Sequence, residues 1–206
     1  MIMRFLGALK ESVPSLRQTF FFTDKDFGQI SALREVYDLN PSLCFWHLKR
    51  AIKRKMDELR TSRVEDLTKT HVNLILNMVT DHYNSHPFLL PQVSESVESI
   101  HQKNLQEITE FCNREEKHAL YSYLYSNWYK WERYLLWGRR NRSKISFART
   151  TMVVESHWST VKCHFLSHLN RPRFDFLIYI IATRLLPKIR VDTERVLCGR
   201  EKQIGR

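Results

Sequence analysis

The stretch FFFTDKDFGQISALREVYDLNPSLCFWHLKR, residues 20–50, decides how this chain is read. The continuous apolar run within residues 19–23 is bounded by polar residues. That is the pattern of a strand buried on both faces, as in a mixed or parallel sheet. Asp26 stands where its side chain can cap a following helix, on which Ile30, Leu33 and Tyr37 share one face. Asn40-Pro41 ends that helix. Residues 42–45 then form a second short strand or a strand-to-helix junction. The expected order is strand, helix, strand, with Asp24 at the tip of the first strand.

Outward from this stretch the chain reads as helical. Residues 1–13 fit a short amphipathic helix stopped by Pro14. Residues 49–59 form a basic amphipathic helix. Residues 64–83, 94–111 and 115–137 are expected as three more, separated most clearly by a loop at 84–91 that holds Pro87 and Pro91. Residues 138–148 are a basic connector. In 151–169 the apolar positions Val154, Trp158, Val161, Phe165 and Leu169 recur at helical spacing. The last helix spans about 174–197, with a bend expected at Pro187. With only 5 Gly and 6 Pro in 206 residues, a turn-rich all-β fold is disfavoured. The expected class is α+β, mostly helical, with few strands.

The formal charge of +11 favours an anionic partner, most simply nucleic acid. Four widely spaced cysteines do not form a secreted disulfide framework. No signal peptide is evident, and the unbroken apolar run at 176–182 falls far short of the roughly 20 residues a bilayer requires. The chain therefore reads as intracellular and free of membrane spans.

Asp24 by itself is a turn acid or a cap, and Asp26 is the better cap of the two. At a strand tip, however, a carboxylate is well placed to hold a metal. Glu155 lies beside the apolar stripe of its helix, about 100° from Val154. Cys44 and His47 form C-x-x-H. A structural zinc site needs four ligands and no second pair is evident, so a buried cysteine and a hydrogen-bonded histidine are expected. Trp128, Trp131 and Trp137 read as helical core, or as base contacts flanked by Arg133, Arg139 and Arg140. Lys49, Arg50, Lys53, Arg54 and Lys55 make one helix strongly positive, a face that is either merely solvated or suited to a phosphate backbone.

Taken together, these stretches resemble the transposase domain of Mutator-like elements, a DDE family with a ribonuclease-H-like core. FFTDKDFGQISALREVYDLNPSLCFWHLKRAIKRK is similar to the family segment that carries a strand, Thr-Asp, a helix and C-x-x-H. TTMVVESHWSTVKCHFL resembles its third motif, although Met152 and Val153 stand where paired asparagines are common. The long helical stretch between them matches the family's helical insertion, and the likeness spans roughly residues 2–170. The resemblance implies a partial ribonuclease-H-like core at 1–47, a large all-α insertion at 48–149, and C-terminal core helices with the glutamate motif at 150–206. It implies that Asp24 and Glu155 are the second and third catalytic acids, holding Mg²⁺ or Mn²⁺ for DNA cleavage and strand transfer. Lys49, Arg50, Lys53, Arg54, Arg139 and Arg140 would then contact DNA, both transposon ends and target, in the nucleus, with a homo-oligomer as a further expectation.

One departure matters. The family's first acid precedes the second on an earlier strand, whereas only Glu11 precedes Asp24 here. The expectation is a transposase fragment that is catalytically incomplete alone. A domesticated DNA-binding regulator and a helical interaction module are the alternatives.

Overall fold

The apolar run at the start of the opening stretch does form a strand. In the computed structural model, which describes residues 2–13, 21–85, 96–139, 150–166 and 173–199, β1 is Phe22–Thr23 and pairs in parallel with β2, Ser42–Leu43. The strand is shorter than the apolar pattern suggests, and residues 19 and 20 lie outside the described ones. Between the strands runs α2, Phe27–Tyr37. Asp26 caps it, accepting a 3.0 Å hydrogen bond from the Gln29 N–H, as expected. Its C-terminus closes on Asp38 in the left-handed conformation, φ 52°, before Pro41 is reached. The first helix, α1 (Ile2–Ser12), lies on α2, with Lys10 Nζ donating to Val36 O.

The chain divides into two units, Met1–Thr151 and Met152–Arg206. The first holds the sheet and most of the helices. In α3 (Phe45–Thr61) the buried residues are Leu48, Ile52, Met56 and Leu59; in α4 (Lys69–Asn84) they include Val72, Ile75, Val79 and Tyr83. Both sets step by three or four residues, so each helix turns one apolar stripe inward. Burial of each large side chain contributes about 1.5–3 kcal/mol relative to exposure. The helices α5 (Val97–Arg114), α6 (His118–Leu124) and α7 (Trp131–Trp137) complete this core.

Two expected helix boundaries are corrected. The helix expected from residue 64 begins at Lys69. Thr68 caps it, with its hydroxyl accepting from the His71 N–H and the His71 ring accepting from the Thr68 N–H. Glu65 stays outside the helix and caps a different one. Its carboxylate accepts from the N–H groups of Ala119 and Leu120, the open first turn of α6. The single helix expected over 115–137 starts later, at His118, and is broken at Lys130. Glu116 takes a positive φ of 55°, and a π-turn at Tyr125–Tyr129 precedes α7.

The π-turn closes with a bond from the Lys130 N–H to the Tyr125 carbonyl. The break after it leaves the carbonyls of Trp128 and Tyr129 without helical donors. Trp137 Nε1 supplies one at 2.7 Å and the buried His101 Nε2 lies 2.7 Å from the other. The Tyr129 hydroxyl sits 2.7 Å from His82 Nδ1, whose Nε2 faces Glu107 at 3.0 Å. Trp128, Tyr129, Tyr134 and Trp137 are therefore core residues, and buried hydrogen bonds hold the Trp128 carbonyl, Tyr129, Tyr134 and the Trp137 indole.

Burial, with a smaller contribution from Glu65, pushes the Cys112 thiol in this core up to about 12. A raised thiol pKa favours the neutral folded form, so its contribution to stability is complete below the unfolded value near 9 and is lost as pH rises from there toward 12. Alkylation is expected to label the exposed Cys163 and Cys198 at neutral pH and to spare Cys112 until the protein unfolds. Peptide mapping after a timed thiol-labelling pulse checks this, and early labelling of Cys112 would refute its placement.

The second unit holds α8 (Met152–Thr160) with a π-turn at Val161–Phe165, then α9 (Phe174–Ile180), a π-turn at Ile181–Leu185 and α10 (Leu186–Leu197). Its small core is Val161, Leu166, Ile180 and Leu185. Val154 and Trp158, expected on the buried stripe, are exposed instead, and Leu169 lies outside the described residues. Of the described stripe residues, Val161 is buried and Phe165 packs against the same cluster, both in the π-turn. Pro187, where a bend is expected, lies in the first turn of α10, directly after the π-turn at Ile181–Leu185. Among the described residues no helix is long and apolar enough to cross a membrane.

Candidate metal centre

Strand pairing brings Asp24 to Cys44. The Cys44 N–H donates to the Thr23 carbonyl at 3.0 Å, and Ser42 donates to Phe21 at 2.7 Å. The residue after β1 thus lies beside the residue after β2. Cys44 is also the residue from which α3 starts, and three positions on, one helical turn, stands His47. The i, i+3 spacing turns both side chains to the same side. His47 Nδ1 lies 2.7 Å from Asp24 Oδ1. One ligand atom from each of Asp24, Cys44 and His47 falls within 4.8 Å of the others.

The three side chains differ in burial. Cys44 is buried, and its sulfur accepts a hydrogen bond from the Thr151 N–H at 3.3 Å. His47 is half-buried, and its ring packs edge-on against Trp46. Asp24 is exposed, so its carboxylate can adjust without disturbing the core. As expected, the cysteine is buried; His47 Nδ1 stands at ion-pair distance from the strand-tip carboxylate without hydrogen-bond geometry to it.

These residues line a cavity of about 390 Å³ together with Lys25, Arg54, Asn127 and Trp128. Lys25 Nζ donates to Asn127 Oδ1 at 2.9 Å and sits 4.3 Å from the centre of the Trp128 ring. Burial first, and the Arg133 charge second, pull the Lys25 ammonium below its usual pKa. The Trp128 indole N–H is buried and meets no acceptor among the described residues. Lys25 and Asn127 were not among the residues singled out from sequence. Asn127 reaches the cavity through the π-turn at Tyr125–Tyr129, which no local pattern marks.

The basic residues of α3 spread over one broad face. At 100° per residue, Lys49, Arg50, Lys53, Arg54 and Arg60 fall within an arc of about 140° that starts beside the buried stripe at Lys49 and reaches its far side at Arg54, whereas Lys55 falls on the other edge of the stripe. Arg50 and Lys53 are exposed. Lys49 and Arg50 lie over the Phe45 and Trp46 rings at 5.6 and 5.1 Å. Lys53, Arg60 and Lys69 line a groove between α3 and α4, which also contains Asp57. Arg54 alone of the face reaches the cavity. Arg139 is half-buried over Tyr83, and Arg140 lies outside the described residues. Glu155 is exposed on α8, in the second unit.

The donor set beside Asp24 is one carboxylate oxygen, one thiol sulfur and one imidazole nitrogen. Mg²⁺ takes oxygen ligands almost exclusively, so these residues do not fit it. In comparisons with protein-family models, characterised proteins and solved structures, none matches this chain.

Proposed function

We propose that this chain is part of a DDE transposase of the Mutator-like type, and that its first unit binds duplex DNA through the basic face of α3. The observation that carries the reading is the position of Asp24. It directly follows a strand of a parallel β-α-β unit, the arrangement a ribonuclease-H-like sheet contains, and it lies 2.7 Å from the histidine of the C-x-x-H motif. Lys49, Arg50, Lys53 and Arg54 would hold the phosphate backbone by charge, independently of base sequence. Arg54 and Lys25 would present positive charge to an anionic group entering the cavity. Cleavage and strand transfer in the nucleus belong to the intact enzyme of this reading, with Asp24 and Glu155 as its acids. No step is derived through Mg²⁺, because the donors next to Asp24 do not suit it.

In a protein joined to a segment that supplies the remaining acid, Asp24→Ala and Glu155→Ala are each expected to reduce strand cleavage to the uncatalysed background and leave DNA affinity unchanged. Gel-based cleavage of a labelled duplex, with anisotropy in parallel, measures both. Cleavage that persists in either variant removes that residue from the assignment.

The unsuited donor set favours one second reading, a transposase-derived regulator that retains DNA binding and has no cleavage activity. Binding by the complemented protein without any cleavage would select it. Absence of DNA binding at low salt would exclude both readings.

A further inference from the structure

We infer that Asp24, Cys44 and His47 form a binding site for a thiophilic divalent ion of the Zn²⁺ class. The inference does not depend on the transposase reading. It rests on donor chemistry and on how each donor is held. Sulfur and imidazole nitrogen with one carboxylate are ligands that Zn²⁺ and Co²⁺ accept together. Three protein ligands with one open position is the coordination of solvent-accessible zinc sites, so a fourth side chain is not required.

The geometry is close to what such an ion needs. Ligand bonds of about 2.0–2.3 Å in a tetrahedron set ligand atoms roughly 3.3–3.8 Å apart. Here the atoms lie within 4.8 Å of one another, with the Asp24–His47 pair at 2.7 Å. A small opening of that pair and a closing toward sulfur would meet the requirement. Asp24, the exposed member, can make that movement. The sulfur accepts a hydrogen bond from the Thr151 N–H at 3.3 Å, the type of outer contact that orients a metal-bound ligand. The open position would face a cavity that contains Lys25 and Arg54, so an anion or water completes the shell.

Sequence spacing could not reveal this site. C-x-x-H supplies only two ligands, and the third is a strand-tip aspartate twenty residues earlier.

The test uses the full chain with Cys163→Ser and Cys198→Ser, which removes the two exposed thiols. After chelation and dialysis it is titrated with Co²⁺. One equivalent is expected to give a sulfur-to-cobalt charge-transfer band with the intense visible bands of tetrahedral Co²⁺. Zn²⁺ should displace the Co²⁺, and millimolar Mg²⁺ should not. Asp24→Asn and His47→Ala are each expected to weaken Co²⁺ binding at least about tenfold, and Cys44→Ser to abolish the charge-transfer band. X-ray absorption of the zinc-loaded protein needs no change to the ligands, so misfolding of a variant cannot hide the result. It should show one sulfur near 2.3 Å with nitrogen or oxygen near 2.0–2.1 Å. No sulfur in the shell, a band that survives Cys44→Ser, or displacement of Co²⁺ by Mg²⁺ would overturn the inference.

Discussion

Trp137→Ala is expected to destabilise the first unit by about 3–5 kcal/mol. The ring is almost wholly buried and packs edge-on against Tyr129 and Tyr134, with centroids 5.5 and 5.1 Å away. Its N–H also donates to the Trp128 carbonyl, which the break before α7 leaves without a helical donor. Truncation therefore opens a cavity and strands a buried acceptor, two costs that add. Because a domain of this size has only about 5–15 kcal/mol of stability in total, the variant should unfold at a much lower urea concentration or fail to fold. Trp137→Phe separates the terms: it retains most of the packing and loses the hydrogen bond, for an expected cost of about 1–3 kcal/mol. Urea midpoints of the two variants, followed by far-ultraviolet circular dichroism, provide the comparison. A shift below about 1 kcal/mol for the alanine variant would be incompatible with this core.

The second large effect concerns the basic face of α3. Each cation paired with a phosphate contributes about 0.9 to the slope of log affinity against log salt. Replacing Lys49, Arg50, Lys53 and Arg54 by glutamine is therefore expected to flatten that slope by about 3–4. Wild-type affinity for a short duplex should fall roughly 100-fold between 50 and 200 mM salt through these four contacts, and the variant should lose that dependence. Glutamine keeps an aliphatic stem over Phe45 and Trp46, which limits any loss of packing. Fluorescence anisotropy at a series of salt concentrations gives both slopes. Equal slopes would refute the proposal that α3 binds DNA.

Particular residues show how far local pattern reaches. Asp26 was readable as a cap because a cap acts on an N–H three residues away. The inward stripes of α3 and α4 were readable because helical periodicity lies in the sequence itself. Glu65 was not: the helix end it caps begins more than fifty residues downstream, and its neighbours by themselves suit a helix. The π-turn at Tyr125–Tyr129 was likewise hidden. Its sequence is rich in helix-compatible aromatics, and what stabilises it is a set of partners from α4, α5 and α7.

By itself the sequence determined that the chain is mostly helical with a short strand-helix-strand segment near its start, that Asp24 stands at the end of the first strand, and that Cys44 and His47 stand three residues apart. These are consequences of periodicity, capping and i, i+3 spacing, all of which act within a few residues. Only the tertiary structure decided that Asp24 meets Cys44 and His47, that Lys25 and Asn127 enclose the same cavity, and that the aromatic helix breaks. Contacts of that kind depend on the parallel pairing of β1 with β2 and on the packing of α6 against α3. Many weak burial terms distributed along the chain fix that packing jointly, and no short stretch encodes it.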